Sequence, residues 1–289
     1  MKARTERRTD SPACPSLPIS VLIQTKNEER SIERCVRGVD RFGEVIVVDS
    51  GSSDRTVEIA QQCGAQVEQF QWNGQYPKKK QWQLDNLLTR YAWILFLDAD
   101  EAPSDELLEE LAALDLNDTS TDVGAYSIRL RYHFGGRTLR FGHVVRKTVL
   151  VRRDRCRFPR IEDANFPGMG ELEGHYQPTI LGRTRSLTGK LMHHDRDPVS
   201  TWFDRHNKYS DWEARLHLTK KTKQVVNRSR SKQGRLFYRL PMKPVVFFLY
   251  SYIARAGLLD GRAGLDYAIA LSHYYWQIGL KVRELERDA

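Results

Sequence analysis

The amino-acid sequence predicts an α/β fold with a doubly wound, mostly parallel sheet and a helical C-terminal appendage. Short apolar, β-branched runs alternate with segments of helical period over residues 19–97, which is the order of elements in a parallel sheet. Beyond residue 240 the apolar segments are longer and rich in aromatic residues, as in packed helices. The 289 residues, 40% of them hydrophobic, are enough for one large domain with an appendage.

Four strand–helix units make up the first part of the predicted sheet. The apolar run 93–97 has little period of its own, which is typical of a strand covered on both faces. Gly43 and Gly64 end the first two predicted helices. In chain order, strands at 19–24, 44–48, 65–70 and 93–97 alternate with helices at 31–39, 55–63, 78–90 and 106–114.

The second half of the sequence is less regular. Segments 125–132 and 148–152 are strand-like, and we expect them at the edge of a mixed sheet. Segment 158–174 is rich in Gly, Pro and acidic residues and predicts a loop. Three helices are predicted after it, at 198–218, 241–259 and 261–286.

Composition divides the chain into three parts. Residues 1–18 contain prolines and many charges and predict a disordered tail. Residues 19–218 carry the predicted sheet domain, and residues 219–289 hold a basic stretch followed by apolar helices. The apolar run 245–253 beside this basic stretch favours docking to an anionic membrane surface, and the alternative is a buried helix that packs on the sheet.

The charge balance is strongly positive, with a formal net charge of +9 and a pI of about 9.4. Such a surplus suits anionic partners, namely nucleotide diphosphates, acidic lipid headgroups or nucleic acid. The four cysteines are scattered without a CxxC pair, and the N-terminal residues lack an apolar leader, so we expect a cytoplasmic protein. The longest apolar run is too short to span a bilayer.

The most informative motif is Asp98-Ala99-Asp100, directly after the buried strand. Alternate residues of an extended chain point to one side, so both carboxylates are expected at the carboxyl end of the strand, where open α/β sheets bind ligands. Like charges this close repel unless a cation lies between them, and oxygen ligands suit Mg²⁺ or Mn²⁺ shared with substrate phosphates. The motif therefore predicts a metal–diphosphate site. The alternative is that Asp98 or Asp100 caps the helix opened by residues 103–106.

Polar residues also follow the first two strands. Thr25, Asn27 and Glu28 are candidates to line a nucleoside pocket, with loop residues in water as the alternative. Asp49 is a candidate to accept hydrogen bonds from a ribose or base, and an Asx turn is the alternative. For Asp54 we favour an N-cap.

Other candidates lie outside these strand ends. Aromatic residues flank the lysine run 78–80, which indicates that part of it is anchored, and we select Lys80 as a contact for a diphosphate rather than a solvated charge. Glu171 and Glu173 are candidate general bases for an exposed hydroxyl, or loop carboxylates in water. His193 is a candidate to complete a metal shell, or a packed histidine.

Three ordered motifs resemble those of the inverting family 2 glycosyltransferases: Val21-Leu-Ile-Gln-Thr-Lys-Asn-Glu28, Val45-Ile-Val-Val-Asp-Ser-Gly-Ser-Ser-Asp54 and Trp93-Ile-Leu-Phe-Leu-Asp-Ala-Asp-Glu101. The chain is similar in particular to members of the lipopolysaccharide core glucosyltransferase type. That similarity extends through residues 80–84, 150–153, 206–210 and 257–261 and covers nearly all of the chain after residue 18.

The resemblance implies a GT-A fold and transfer of a sugar from a nucleotide-diphosphate donor, with UDP as the expected nucleotide. It implies that Asp49 contacts the nucleotide, that Asp98 lies near the ribose and metal, and that Asp100 binds the metal at the diphosphate. Thr25 and Glu28 would line the nucleoside pocket. The implied reaction is a direct displacement, in which a carboxylate deprotonates the acceptor hydroxyl while the metal stabilises the leaving diphosphate.

Two positions depart from the family pattern. Tyr176 stands where similar proteins carry a glutamate after a histidine, and a tyrosine is a poor base at neutral pH. The base is therefore expected to be Glu173 or Glu171, with Asp163 as a less favoured candidate. Ser50 stands where many members carry a second acidic residue, which leaves the uridine preference open.

The expected function is a metal-dependent inverting hexosyltransferase that acts at the inner face of the cell membrane. Its partners would be a nucleotide-sugar donor, a glycan or lipid-linked acceptor of the cell envelope and an anionic membrane surface. One alternative is a nucleotidyltransferase, which would use an NTP and a sugar phosphate and release pyrophosphate. The other is a non-catalytic protein that binds nucleic acid or a membrane, although no nucleic-acid motif is present, so nucleic acid is not an expected partner.

Overall fold

The structure is a computed structural model that describes residues 16–118, 120–163, 165–173, 176–219, 224, 234, 236–237 and 240–288. Its strands are β1 (Leu17–Thr25), β2 (Phe42–Asp49), β3 (Gln66–Gln69), β4 (Trp93–Asp98), β5 (Glu101–Pro103), β6 (Val123–Phe134), β7 (Arg137–Thr138), β8 (Arg146–Arg152), β9 (Cys156–Arg157), β10 (Thr179–Ile180) and β11 (Arg183–His193). Its helices are α1 (Ile32–Arg37), α2 (Thr56–Gln62), α3 (Lys79–Asn86), α4 (Asp105–Ala112), α5 (Val199–Leu218), α6 (Lys243–Phe248) and α7 (Gly261–Arg287).

The main sheet of the described residues has the strand order β3-β2-β1-β4-β8-β6-β11-β5. Strands β1 to β4 are mutually parallel, as are β6 and β11, whereas β8 runs antiparallel between β4 and β6. The predicted α/β class with a mostly parallel sheet and a C-terminal helical region is therefore confirmed. The expectation that β6 and β8 lie at the sheet edge is wrong, because the chain returns to place both strands inside the sheet.

The central strands explain the apolar runs in the sequence. Leu22 and Ile23 of β1 are fully buried, and Phe96 of β4 is 1% exposed. Strands that are covered on both faces carry apolar residues at successive positions rather than at alternate ones. In the parallel register, Thr25 pairs with Asp49 and Gln24 with Asp98, so β1, β2 and β4 end at the same edge of the sheet. That edge carries the candidate site.

The C-terminal helices pack against the rest of the chain. Helix α7 contacts α5 and α6, and its Tyr267 ring lies 5.8 Å from the Tyr132 ring and 5.2 Å from the Phe134 ring of β6. The buried-helix alternative for the run 245–253 holds only in part, since Phe247 is buried but Val245 and Ile253 are exposed. Among the described residues, no helix has the length and apolar character needed to cross a membrane.

Between α6 and α7, the segment 249–260 forms a π-helical turn (Leu249–Ala254) and a 3₁₀ turn (Gly257–Asp260). Apolar side chains of these turns face solvent, with Ile253 53% exposed and Leu259 60% exposed. The lysines and arginines of residues 220–239, on which the membrane prediction also rests, lie outside the described residues, as does the predicted tail up to residue 15.

Candidate active site

A cavity of about 1090 Å³ opens at the carboxyl ends of β1 and β4. Phe158, residues 168–173 and 176–178, and helices α5 and α7 form its other walls. Most of the predicted site residues line it together, namely Thr25, Glu28, Lys80, Asp98, Asp100, Glu171, Glu173 and His193. Residues that are far apart in sequence are thus brought to one site.

The Asp98 carboxylate is held by a lysine from another strand. Lys147 of β8 donates from Nζ to Asp98 Oδ2 at 2.7 Å and to Glu101 Oε1 at 2.7 Å. Burial by itself raises the pKa of Asp98, but the Lys147 ammonium outweighs it and holds that pKa below its ordinary value. Burial likewise lowers the pKa of Lys147, whereas Asp98 and Glu101 raise it well above its ordinary value. Both groups are therefore charged at neutral pH.

The Asp100 carboxylate is only partly satisfied. Its Oδ2 lies 3.3 Å from His193 Nε2, while its buried Oδ1 has no hydrogen-bond partner within the described part of the chain. Backbone contacts fix the Asp100 main chain, since its carbonyl accepts from Arg34 Nη2 at 3.0 Å and from the His194 N–H at 2.9 Å. A buried carboxylate oxygen without a hydrogen-bond partner is a candidate to bind a cation or to accept a hydrogen bond from a ligand.

Helix capping does not account for the acidic pair. The helix after the motif, α4, begins at Asp105, and Ser104 caps it by accepting from the Leu107 N–H at 3.3 Å. The alternative that Asp98 or Asp100 is the cap is therefore wrong. These two carboxylates are left for interactions across the cavity.

The predicted metal ligands fit a divalent cation in chemistry but are not assembled as one cluster. Asp100 supplies an unpartnered oxygen and His193 a nearby imidazole, which suit Mg²⁺ or Mn²⁺. Asp98 Oδ2, however, is directed at Lys147. In the portion of the chain that the structure describes, no group of three His, Cys, Asp or Glu side chains is placed to hold a metal ion. The ligand set of Asp98, Asp100 and His193 thus stays a prediction.

Asp49 is used to build a turn. It is 1% exposed, and its carboxylate accepts from the N–H groups of Gly51 at 3.0 Å and Ser52 at 2.8 Å and from Thr25 Oγ1 at 3.1 Å. Burial by itself raises the pKa of Asp49, but these hydrogen bonds, those from Ser52 first, outweigh it and lower that pKa below its ordinary value. Gly51 turns with a φ of 73°. The geometry favours the Asx turn, and the nucleotide contact by Asp49 stays a prediction.

Asn27 and Glu28 lie on a second, smaller cavity of about 330 Å³, and Glu28 lines both cavities. The Asn27 side chain accepts from the Ser53 N–H at 2.8 Å, so it joins the two loops at this edge and does not line the main cavity. Asp54 accepts from the Thr56 N–H at 3.0 Å just before α2, but the N-cap of that helix is Arg55, not Asp54 as predicted. Burial, with Asp100 and Asp197 next, raises the pKa of Glu28 to about 8.

The lysine run contains anchored and cavity-lining residues. Lys78 donates to Asp163 Oδ2 at 2.9 Å, and Lys79 donates to the Thr25 carbonyl at 3.0 Å and to Ser50 Oγ at 2.6 Å. Lys79 and Lys80 both line the cavity, and Lys80 Nζ lies 6.0 Å from the Phe96 ring centroid. The contact of Lys80 with a diphosphate stays a prediction.

The two candidate bases differ in how they are engaged. Glu171 accepts from Ser50 Oγ and lies 3.8 Å from Lys79 Nζ. Glu173 is 4% exposed and accepts from the Gln81 N–H at 3.0 Å through Oε1, while Oε2 has no partner among the residues described. Burial raises the pKa of Glu173 above its ordinary value. These two features are ones that a general base requires, and the role of Glu173 or Glu171 as the base stays a prediction.

The sequence profile described as "Glycosyl transferase family 2" matches residues 20–172, just over half of the chain. The chain belongs to glycosyltransferase family 2. This membership confirms the resemblance and the assignment as a glycosyltransferase. It favours sugar transfer over the nucleotidyltransferase and over the non-catalytic binding protein.

Relatives within the family span most of the chain. The Rhizobium meliloti protein named lipopolysaccharide core biosynthesis glycosyltransferase LpsC is 28% identical over 95% of this chain and 98% of its own length. A Rickettsia typhi glycosyltransferase, RT0209, is 27% identical over 92% of this chain and 87% of its own length.

Two solved structures are more distant. Staphylococcus aureus TarS 1–349 is 17% identical over 90% of this chain and 91% of its own, with a TM-score of 0.38. Glucosyl-3-phosphoglycerate synthase from Mycobacterium tuberculosis, in complex with Mn²⁺, UDP-glucose and glycerol 3-phosphate, is 24% identical over 41% of this chain and 45% of its own, with a TM-score of 0.29. Both TM-scores are low, and we draw nothing further from them.

This family 2 enzyme also uses residues that sequence reasoning missed. Lys147 shows no local motif, and its role appears only when β8 is placed beside β4. Asp163, a less favoured candidate base, is an anchor: its Oδ2 accepts from Lys78 Nζ at 2.9 Å and from Trp212 Nε1 at 2.7 Å. Because Asp163 lies ten residues before Glu173, this buried contact fixes the loop that carries the candidate base.

Proposed function

We propose that this family 2 glycosyltransferase moves a hexose from a UDP-sugar to a hydroxyl group of a lipid-linked or cell-envelope glycan, with a divalent cation and with inversion. The observation that carries the proposal is that Asp100 and Glu173 line one cavity and each has a buried carboxylate oxygen, Oδ1 and Oε2, without a partner among the described residues. One suits a cation at the leaving group and the other suits a proton acceptor.

The donor end of the cavity is assigned to the edge of the sheet. Thr25 and Glu28 would line the nucleoside pocket, and Lys80 would face the diphosphate as a point charge. Asp100, His193 and Asp98 would hold Mg²⁺ or Mn²⁺. When bound there, the cation supplies positive charge to the departing diphosphate.

Glu173 is assigned as the general base. The acceptor hydroxyl gives its proton to Glu173 Oε2 as its oxygen forms a bond to the anomeric carbon. The bond from that carbon to the diphosphate oxygen breaks, and its electron pair leaves with the nucleotide diphosphate. Attack opposite to the leaving group inverts the anomeric configuration. The raised pKa of Glu173 makes it a stronger proton acceptor than an ordinary carboxylate.

The acceptor end is assigned to the aromatic wall of the cavity. Tyr132, Phe134, Phe247 and Tyr267 line it, and aromatic faces suit both sugar rings and lipid chains. Segment 249–260 exposes apolar side chains and connects α6 and α7, whose Phe247 and Tyr267 line this wall, so a membrane surface would be presented near it. The full-length similarity to a protein named for lipopolysaccharide core biosynthesis supports an envelope acceptor.

A thermal-shift screen of nucleotide sugars tests the proposal. A ligand that binds only the folded state at 100 times its Kd stabilises that state by about 2.7 kcal/mol. We expect UDP-hexoses to raise the Tm with Mn²⁺, to raise it less in EDTA, and to exceed the matched GDP- and CDP-sugars. The absence of a shift with every nucleotide sugar, with or without Mn²⁺, would contradict the proposed function.

A further inference from the structure

Lys147 lies where a bound diphosphate would meet the end of β4. Strand β8 runs antiparallel to β4, with Leu150 paired to Leu95, so the residues that precede Leu150 on β8 run toward the carboxyl end of β4. From there the Lys147 ammonium reaches both Asp98 and Glu101 at 2.7 Å and lines the cavity.

The hydrogen bonds of Lys147 use only two of its three N–H donors. An ammonium group has three N–H donors, and two of those of Lys147 are directed at carboxylates. The side chain is 24% exposed and lines the cavity. A third N–H is thus left over at a residue that borders the space where a ligand would bind.

Lys78 shows what a purely structural lysine looks like in this protein. Its side chain is 5% exposed, and its ammonium is enclosed by Asp163 Oδ2 at 2.9 Å and the Leu172 carbonyl at 3.1 Å. Lys147 neutralises the buried Glu101 in a similar way but is partly exposed and lines the cavity. This difference indicates a role beyond charge neutralisation.

We propose that Lys147 donates its third N–H to an oxygen of the donor's diphosphate, so that the leaving group meets a fixed protein ammonium in addition to the bound cation. The inference rests on the proposed function. Negative charge builds on the diphosphate as its bond to the sugar breaks, and a preorganised donor stabilises that charge. Asp98 and Glu101 hold the ammonium in place, which makes them positioning residues for it.

Metal-free binding of UDP, UMP and uridine separates this role from that of the cation. Calorimetric titrations in EDTA compare wild type with Lys147→Met and Lys147→Arg. We expect Lys147→Met to lose about 10-fold in UDP affinity, less in UMP affinity and nothing in uridine affinity, because a hydrogen bond to a charged group is worth about that much. Lys147→Arg should restore most of the UDP affinity, since it keeps the charge and donors.

Each other outcome overturns the inference. Equal losses for UDP and uridine would show that Lys147 only shapes the pocket, and an unchanged UDP affinity would show that it makes no contact. Wild type that binds UDP no better than uridine in EDTA, yet binds UDP with Mn²⁺, would refute the Lys147 contact and leave the proposed function standing. No UDP binding even with Mn²⁺ would refute both.

A second variant keeps the test decisive if Lys147→Met does not fold. Loss of the ammonium leaves the buried Glu101 carboxylate unpaired, which is destabilising. Glu101→Gln with Lys147→Met removes that charge as well. The double variant should fold and still show the selective loss for UDP, with Glu101→Gln alone as the matched control.

Discussion

The turn after β2 and the turn after β4 both place acidic residues at the carboxyl end of a buried parallel strand, and they use those residues differently. At the first, the Asp49 carboxylate accepts from the N–H groups of Gly51 and Ser52 and from the Thr25 hydroxyl. At the second, Asp98 is held by a distant lysine, and Asp100 Oδ1 has no partner in the described chain. A strand-end carboxylate is free for a ligand only when its own turn does not use it.

The loop that carries Glu171 and Glu173 shows the same contrast between a carboxylate with structural contacts and one with a free oxygen. Glu171 accepts from Ser50 and lies near Lys79, so it ties the loop to the sheet. Glu173, two residues later, keeps one buried oxygen without a partner among the residues described. In both places one carboxylate, Asp49 or Glu171, makes structural contacts, and another, Asp100 or Glu173, keeps an oxygen for chemistry.

Replacement of Asp100 should give the largest effect. Asp100→Ala removes the unpartnered oxygen assigned to the cation, and we expect Mn²⁺-dependent sugar transfer to fall by about 10³-fold, the upper range for loss of one preorganised charge-stabilising group. The fold should persist, because the main-chain contacts of Asp100 remain. Initial rates and circular dichroism measure the two effects.

Asp105→Ala is the control for this experiment, because Asp105 lies on the exposed first turn of α4 nearby. It should change the rate little. An unchanged rate in Asp100→Ala would remove the distinction between the two turns.

Glu173→Gln should lower kcat by about 10²-fold, as for the loss of a general base. Glu171→Gln, which alters a tethered carboxylate, should cost less. Stability provides a second readout. The pKa of Glu173 is raised in the folded state, so its contribution to stability is present below the ordinary glutamate pKa and is lost as pH rises through the folded value. At neutral pH, Glu173→Gln should therefore be at least as stable as wild type.

Which of these two variants loses more kcat decides which glutamate is the general base. Steady-state rates and urea unfolding at pH 7 measure activity and stability. A larger kcat loss for Glu171→Gln would move the catalytic role to Glu171 and break the contrast within the loop.

Asp49→Asn should cost stability. Hydrogen bonds to a charged group contribute about 1.5–3 kcal/mol, so we expect the free energy of unfolding to fall by about 2 kcal/mol. The pKa of Asp49 is lowered on folding, so this contribution is present above the ordinary aspartate pKa and is lost as pH falls through the folded value. The difference from wild type should shrink in acid.

Denaturant unfolding between pH 3 and pH 7 measures this effect, with the exposed Asp40→Asn as the control. A variant of full stability that binds UDP poorly would assign Asp49 to the nucleotide instead of the turn.

The effect of Glu28→Gln on stability should depend on pH. The pKa of Glu28 is raised from 4.5 to about 8, so its stabilising contribution is present below pH 4.5 and is lost as pH rises through 8. Relative to wild type, the variant should gain Tm over this range, by about 2–4 °C for each 1 kcal/mol recovered. Thermal scans across the range measure it. A constant Tm difference would show that Glu28 stays ionised in the fold.

Much of the fold could be predicted because its signals are local. The apolar runs that contain Leu22, Ile23 and Phe96 mark strands covered on both faces, and the polar residues after them mark a shared edge. The position of β8 could not be predicted, since strand order depends on how the chain returns to the sheet. That return places Lys147 against Asp98, 49 residues away in sequence.

Sequence reasoning predicted which residues line the site better than it predicted what each residue does there. Residue type and spacing indicated Asp100, Glu173 and Lys80, which line the cavity. They left open whether Asp49 contacts a nucleotide or forms an Asx turn, and they did not show that Asp163 is buried under Lys78 and Trp212. Such roles follow from which donors reach each oxygen, and that is a property of the folded chain.

The most direct test is a crystal of the protein grown with UDP and MnCl₂, measured for anomalous scattering from manganese. The account predicts one strong peak at bonding distance from Asp100, between its carboxylate and the diphosphate, and none at the turn that follows β2. A manganese peak beside Asp49, or UDP bound with Asp100 left without a cation, would contradict it.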